Sequence, residues 1–209
     1  KRSKLFKEVL EPVTEKLHEV GYVGYVDMNC IIAEGKPWPL EFTMRFGWPH
    51  FNLCMTLHDG DPISWMRDLL DGKDTLKWKK EICVGVVMAH GDFPWDKLPP
   101  EATSGFPIEG MKAKMMADLR MTSVMRGVAP MMVGGKVKEL ETYVTAGSYV
   151  LVATGLGGTV EEARKAVYGI ADEIKWPHDR IYRTDIGRRL DSMLPKLNRL
   201  GYATGMTYE

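Results

Sequence analysis

The chain has little cysteine, no excess charge of either sign and no long apolar run. It contains 3 cysteines in 209 residues, and its formal net charge is +0. A balanced charge gives no overall field that would attract nucleic acid or an anionic membrane, so we expect neither as a partner. No stretch reaches the roughly 18 apolar residues of a membrane-spanning helix. The few, unevenly placed cysteines indicate free thiols in a reducing compartment, and we therefore expect a cytoplasmic protein.

The first third of the chain predicts helices around a β-hairpin. Residues 3–19 have the apolar spacing of an amphipathic helix, which Pro12 should kink or split and Gly21 should end. An apolar run, a turn at Glu34-Gly35-Lys36-Pro37 and a second run predict a hairpin over residues 23–46. Two further helices are predicted at residues 52–57 and 62–70.

The remainder of the chain has a more mixed pattern. Residues 82–89 predict a buried strand, and the prolines and glycines of residues 95–110 predict mostly loop. Residues 112–154 predict short strands with a hairpin turn at Gly134-Gly135. Thr159 is a suitable N-cap for a helix to about Lys175, and a last helix is predicted at residues 187–200. The sequence therefore predicts an α+β protein.

Polar side chains on the predicted hairpin form the main candidate site. Asp27 and Asn29 are two residues apart on the first strand and share a face, as do Glu41 and Thr43 on the second, and Arg45 is predicted to join the face of Glu41 and Thr43. Oxygen donors beside a guanidinium suit magnesium and the phosphates of a nucleotide. The alternative interpretation is an ordinary hairpin with solvated polar faces.

The same hairpin carries a resemblance to a known family. Residues 21–25 read Gly-Tyr-Val-Gly-Tyr, and residues 41–47 read Glu-Phe-Thr-Met-Arg-Phe-Gly. This arrangement is similar to the end of the ATP-grasp domain in glycinamide ribonucleotide synthetases, also called phosphoribosylamine–glycine ligases. That family typically has Glu-Phe-Asn-x-Arg-Phe-Gly-Asp-Pro-Glu at this point. The chain departs from it at Thr43, Trp48 and His50, which stand for the asparagine, the aspartate and the last glutamate.

Further motifs of the family follow in the same order over nearly the whole chain. They are an apolar strand ending near Gly91-Asp92-Phe93-Pro94, Ile108-Glu109-Gly110, a glycine-preceded strand at residues 145–152, a helix start at residues 157–163, and Tyr182-Arg183-Thr184-Asp185-Ile186-Gly187. We therefore expect residues 1–72 to be the end of an ATP-grasp domain. Residues 73–209 would then be the family's C-terminal domain of mixed β-sheet and helices.

The resemblance implies an activity and a set of roles. The family phosphorylates glycine with ATP, and the amine of phosphoribosylamine then displaces the phosphate, as part of purine biosynthesis. By resemblance, Glu41 and Thr43 would hold Mg²⁺ (or Mn²⁺) on the ATP phosphates, with Asp27 or Asn29 as a further ligand, and Arg45 would contact the nucleotide and the transferred group. The family's N-terminal substrate domain and glycine-rich loop have no counterpart here. We therefore expect a C-terminal piece that is inactive without the missing N-terminal part.

Other interpretations stay open. The departures at Thr43, Trp48 and His50 also suit a non-catalytic binding or assembly module on the same scaffold, or a ligase for a different carboxylate and amine. His50 itself is either a substrate contact or a surface histidine. The glycines of residues 155–158 precede a helix, as in a phosphate cradle, but they also suit a tight strand-to-helix turn.

Overall fold

The computed structural model describes residues 3–91, 93–95 and 97–209, which form two compact units. The first unit contains the chain up to Phe51 together with Arg189–Tyr208, and the second contains Asn52–Arg188. These units are defined by contacts and do not define family domains. The predicted family boundary between residues 72 and 73 therefore stays a prediction.

The first unit consists of three helices and a two-stranded antiparallel sheet. Its elements are α1 (Lys4–Val9), α2 (Glu11–Glu19), β1 (Asp27–Ala33), β2 (Lys36–Thr43) and the C-terminal α6 (Leu190–Arg199). The predicted N-terminal helix is split at Leu10, and Pro12 lies in the first turn of α2. Proline is tolerated there because the first helical N–H groups have no intrahelical acceptor. The split that Pro12 predicted is confirmed.

Glycines end two helices of this unit in the same way. After α2, Gly21 has φ 63° and donates to the His18 carbonyl, while Tyr22 donates to the Leu17 carbonyl. After α6, Gly201 has φ 81° and makes the equivalent pair of bonds with Tyr202. This is the Schellman arrangement, in which a left-handed residue reverses the chain and satisfies the last carbonyls.

The second unit contains two antiparallel sheets and the longest helix. Its elements are α3 (His50–Leu57, of which Asn52–Leu57 belong here), α4 (Pro62–Leu70), β3 (Ile82–Ala89), β4 (Ser104–Pro107), β5 (Leu119–Met121), β6 (Val124–Val133), β7 (Lys136–Ala146), β8 (Tyr149–Gly157), α5 (Val160–Glu173) and β9 (Ile181–Tyr182), with 3-10 turns at Pro100–Ala102 and Ala113–Asp118. One sheet has the strand order β5-β8-β3-β9, and the other has β4-β7-β6.

The core of this unit lies between α5 and the β3–β8 pair. Its fully enclosed side chains are Val86, Met88, Val150, Leu151, Ala163, Val167, Ala171 and Ile174. The helix approaches the sheet closely because Gly155 and Gly157 have no side chain. A Cβ on Gly155 would lie 2.5 Å from the Val167 nitrogen, and one on Gly157 would lie 2.5 Å from the Ala163 nitrogen.

The α+β class is confirmed, with local differences. Residues 95–110 were expected to be mostly loop, and within them the short strand β4 forms where Ser104 and Pro107 pair with β7. The strands of the Gly134-Gly135 hairpin were expected to be short, but β6 and β7 have 10 and 11 residues. Cys30, Cys54 and Cys83 form no disulfide, as expected. None of the helices in the described ranges is long and apolar enough to cross a membrane.

Candidate functional site

The β1–β2 register brings the four predicted oxygen donors together. Asp27 is the cross-strand partner of Thr43, and Asn29 is the partner of Glu41. Cross-strand partners in an antiparallel pair lie on the same face, with Cβ atoms about 4.5–5.5 Å apart. The sequence placed these residues on shared strand faces, and the register joins both pairs into one polar cluster at the open end of the hairpin.

Asn29 and Glu41 are also linked directly. Asn29 Nδ2 donates a hydrogen bond to Glu41 Oε1 over 3.2 Å. The register shifts immediately after Asn29, so that Leu40 has no cross-strand partner. Such a bulge changes the direction of neighbouring side chains. Glu41 therefore has one carboxylate oxygen fixed by an amide. The polar pattern contained both residues, but no sequence signal indicated this bond or the bulge.

Asp27 has a different neighbour. A Cβ built on Gly47 would lie 2.9 Å from Asp27 Oδ2 and 3.4 Å from the His50 Cβ. The Asp27 carboxylate therefore packs against the backbone of the loop that follows β2, at a place where a side chain on residue 47 would displace it. This contact gives Gly47 of the Arg-Phe-Gly motif a steric role.

Arg45 lies beyond the strand. β2 ends at Thr43, so the strand face predicted to include Arg45 does not extend to it. Arg45 Nη1 donates to the Phe46 carbonyl over 3.3 Å, and the side chain is exposed. The ring of Phe46 packs between Tyr25 and Phe51, with centroid distances of 4.7 and 4.4 Å. This aromatic stack positions the loop that presents Arg45.

The loop also carries the two bulky departures from the family pattern. Trp48 is exposed, and His50 begins α3, so both follow the candidate cluster directly. Tyr22, which the sequence did not single out, steadies the start of the hairpin because its hydroxyl donates to the Tyr25 carbonyl over 2.9 Å.

The donor set fits a magnesium ion shared with phosphates and does not fit an all-protein cage. Within the described ranges, no group of three His, Cys, Asp or Glu side chains is arranged to hold a metal. Magnesium is commonly bound by one or two carboxylates, with waters and substrate phosphates completing the octahedron. Glu41 and Asp27, with the neutral oxygens of Thr43 and Asn29, match that kind of site.

The glycine-rich turn before α5 is not a phosphate cradle. Glu162 Oε2 accepts hydrogen bonds from the Gly158 and Thr159 amides over 2.8 and 3.3 Å, and Thr159 Oγ1 accepts from the Glu162 amide over 3.2 Å. This capping box already supplies the helix N-terminus with a carboxylate. Gly155 and Gly157 serve helix packing, which supports the tight-turn interpretation.

Two of the downstream motifs support α5 from outside. A Cβ on Gly110 would lie 2.0 Å from the Glu173 carbonyl oxygen, so the end of α5 rests on this glycine. The segment around residues 182–187 follows the helix: Tyr168 Oη donates to the Arg183 carbonyl over 2.8 Å and accepts from the Ile186 amide over 3.1 Å. These contacts give both motifs a packing role.

Comparison with known proteins agrees with this architecture. The profile of the phosphoribosylglycinamide synthetase C domain matches residues 83–189, just over half of the chain. The phosphoribosylamine–glycine ligase of Escherichia coli O6:H1 is 32% identical over 172 residues, covering 80% of this chain and 37% of the relative. The enzyme of the same name from Vibrio cholerae is 29% identical over 192 residues, covering 89% of this chain and 41% of the relative.

A solved structure shows the same fold. The crystal structure of phosphoribosylamine–glycine ligase from Thermotoga maritima superimposes with a TM-score of 0.66 at 24% identity, covering 88% of this chain and 42% of that one. The chain thus spans about two fifths of the length of these relatives.

Proposed function

The chain belongs to the phosphoribosylglycinamide synthetase family, whose curated members matched here are ligases, and we propose that it is the C-terminal portion of an ATP-dependent ligase joining a carboxylate to an amine. The observation that carries this proposal is the β1–β2 register, which unites Asp27 with Thr43 and Asn29 with Glu41 ahead of the matched C domain. By likeness to its relatives, the reaction belongs to purine biosynthesis, is ADP-forming and takes glycine and phosphoribosylamine.

The polar residues of the hairpin suit a ligase that must position magnesium and neutralise the negative charge of the ATP phosphates. Magnesium-bound ATP would supply the transferable phosphoryl group, with part of its negative charge neutralised. Glu41 would hold the metal through the oxygen that Asn29 leaves free, and Asp27 or Thr43 would add a second oxygen. Phosphoryl transfer depends mainly on positioning and electrostatic stabilisation, so a fixed carboxylate is the protein's main contribution here.

Arg45 would complete the site on the acceptor side. Its guanidinium is exposed at the end of the aromatic-stacked loop, next to the strand that carries Glu41. A planar guanidinium pairs well with carboxylates and phosphates, including the carboxylate that is to be activated. Arg45 is therefore our candidate catalytic residue, and Trp48 and His50 are candidates for shaping substrate specificity.

The hairpin also has a surface suited to the N-terminal part that the longer relatives contain. Trp38, Leu40 and Phe42 of β2 are 45%, 62% and 48% exposed. Trp38 pairs with Ile31 and Phe42 with Met28, so the two rings lie on opposite faces of the hairpin. Large exposed apolar side chains mark interfaces, and a two-stranded hairpin is marginally stable without further packing. We propose that an N-terminal part covers this surface, and that the isolated 209-residue chain therefore lacks ligase activity.

The departures from the family pattern at Thr43, Trp48 and His50 favour a second candidate function. A threonine hydroxyl is a weaker magnesium ligand than the amide carbonyl of asparagine, and His50 replaces a carboxylate. In this alternative, the chain is a binding or assembly module on an ATP-grasp scaffold, and the polar cluster holds no metal.

The test is substitution of the central carboxylate in the longer protein that contains this chain. With Glu41→Gln, we expect kcat for ADP release with glycine and phosphoribosylamine to fall at least about a hundredfold, as when a single electrostatic stabiliser is removed. Glu139→Gln, an exposed carboxylate of β7, is the matched control and should retain full activity. Equal rates for wild type and Glu41→Gln would contradict the assignment, and ligase activity of the isolated chain would contradict the need for an N-terminal part.

A further inference from the structure

The residues after the matched C domain return to the first unit. The family profile ends at residue 189, and Arg189–Tyr208 belong to the same compact unit as α1, α2 and the β1–β2 hairpin. We call residues 190–208, which comprise α6 and the turns after it, the C-terminal brace.

The brace is anchored on α1 through a polar and aromatic contact. The Schellman turn at Gly201 directs Tyr202 onto α1, where the ring is only 4% exposed. The Tyr202 hydroxyl donates a hydrogen bond to Glu8 Oε2. Lys4 Nζ donates to the Leu200 carbonyl over 2.7 Å and lies 4.5 Å from the centre of the Tyr202 ring. Lys4 therefore neutralises the C-terminal end of α6, where the helix dipole favours a cation.

The brace also reaches the turn of the candidate hairpin. A Cβ on Gly35 would lie 3.7 Å from Leu200 Cδ2, and Gly35 forms the β1–β2 turn with a φ of 79°. The adjacent helix α1 packs against β2 as well. Leu200 thus lies over the closed end of the hairpin, while Asp27 and Thr43 pair at its open end.

We propose that the C-terminal brace is a positioning element that holds the β1–β2 hairpin and, through it, the Glu41 cluster. A hairpin of two strands with exposed apolar residues needs support from outside its own ladder. The brace supplies that support at the turn, away from the polar cluster. Any effect of the brace on ligase activity rests on the proposed function of the hairpin. Its effect on the local stability of the hairpin does not depend on that function.

The experiment measures amide hydrogen exchange on the 209-residue chain. Gly201→Ala places a side chain at a left-handed φ and should release Tyr202 from α1. We expect exchange within β1 and β2 to become at least about tenfold faster, because local opening sets the exchange of such amides. Exchange in β3 and β8 should not change.

The matched control is Gly134→Ala, at a glycine with φ 58° in the β6–β7 turn and with open space around it. This variant carries similar backbone strain and should leave β1 and β2 exchange unchanged. Tyr202→Phe keeps the ring and removes the bond to Glu8, so it tests the same contact in a chain that folds. Unchanged hairpin exchange in Gly201→Ala and Tyr202→Phe, or equal acceleration in Gly134→Ala, would overturn the proposal.

A second measurement separates the brace from the ligase assignment. In the longer protein, Tyr202→Phe should raise the magnesium concentration for half-maximal ADP release, with rescue of the rate at high magnesium. Faster hairpin exchange in the variants, together with absence of ligase activity in the longer protein, would support the brace and contradict the proposed function. An active ligase in which Tyr202→Phe changes neither exchange nor magnesium dependence would contradict the brace alone.

Discussion

The two units of this chain differ in how completely they bury their apolar side chains. In the second unit, α5 closes over β3 and β8, so that Leu151 is 1% exposed and Val167 is fully enclosed. In the first, Leu40 on β2 remains 62% exposed. Both strands are rich in apolar residues and both have a helix against them, but α5 encloses β8 far more completely than α1 covers β2. The second unit thus has its own core, whereas the hairpin leaves apolar side chains exposed, as the proposed cover by an N-terminal part requires.

The largest expected effect comes from making the same substitution in both regions. Leu151→Ala removes enclosed methyl groups and leaves a cavity, so we expect a loss of about 2–5 kcal/mol in the free energy of unfolding. Leu40→Ala should change that free energy by less than about 0.5 kcal/mol in the isolated chain, because the side chain is largely hydrated already. Denaturant unfolding of both variants measures the contrast. A loss of several kcal/mol for Leu40→Ala would show that the hairpin is already buried.

A smaller effect is expected where α5 meets the sheet. Gly155→Ala would place a methyl group 2.5 Å from the Val167 nitrogen, and we expect a loss of about 1–3 kcal/mol through overpacking. Gly169 lies on the exposed side of the same helix with open space around its Cα, so Gly169→Ala should add about 0.5–1 kcal/mol through helix propensity. Thermal unfolding of the two variants should shift in opposite directions, and a shift of the same sign in both would contradict this description of the interface.

Most helices and strands of the second unit could be predicted because the residues that determine their ends are neighbours in the sequence. Thr159 and Glu162 form a capping box within one helical turn, and Gly134-Gly135 forms the hairpin turn. β4 was not singled out within the segment predicted to be mostly loop, because Ser104 and Pro107 pair with β7, which lies about forty residues away in the chain.

The sequence predicted which residues form the candidate site, but it did not predict the contacts between them. The period of two placed Asp27 with Asn29 and Glu41 with Thr43 on shared faces. The bond between Asn29 and Glu41 depends on a cross-strand register with a bulge at Leu40, and the Asp27–Gly47 contact depends on how the loop after β2 folds back. These features arise from pairing across the hairpin, which propensity and spacing within one strand do not encode.

Burial in the second unit should also affect how the free energy of unfolding depends on pH. Burial raises the pKa of the Cys83 thiol to about 11 from 9.0. Because the folded-state pKa is raised, the neutral thiol contributes stability that is present below about pH 9 and lost as the pH rises toward 11. We expect the free energy of unfolding of Cys83→Ala to fall less steeply than that of wild type between pH 9 and 11. Parallel pH profiles for the two proteins would contradict the effect.

The smallest effect is expected at the open end of the hairpin. Thr43→Asn introduces an amide carbonyl, a better oxygen donor to a hard cation than a hydroxyl, opposite Asp27. In the longer protein, we expect magnesium affinity in the presence of ATP to stay unchanged or to rise, because Asp27 and Asn29 already supply oxygens to the same face. Magnesium titration of wild type, Thr43→Asn and Thr43→Val measures this, with valine as the isosteric control that has no oxygen. A clear loss of affinity in Thr43→Asn would show that Thr43 does not face the metal with Glu41, and absence of magnesium binding in all three proteins would favour the binding module without a metal.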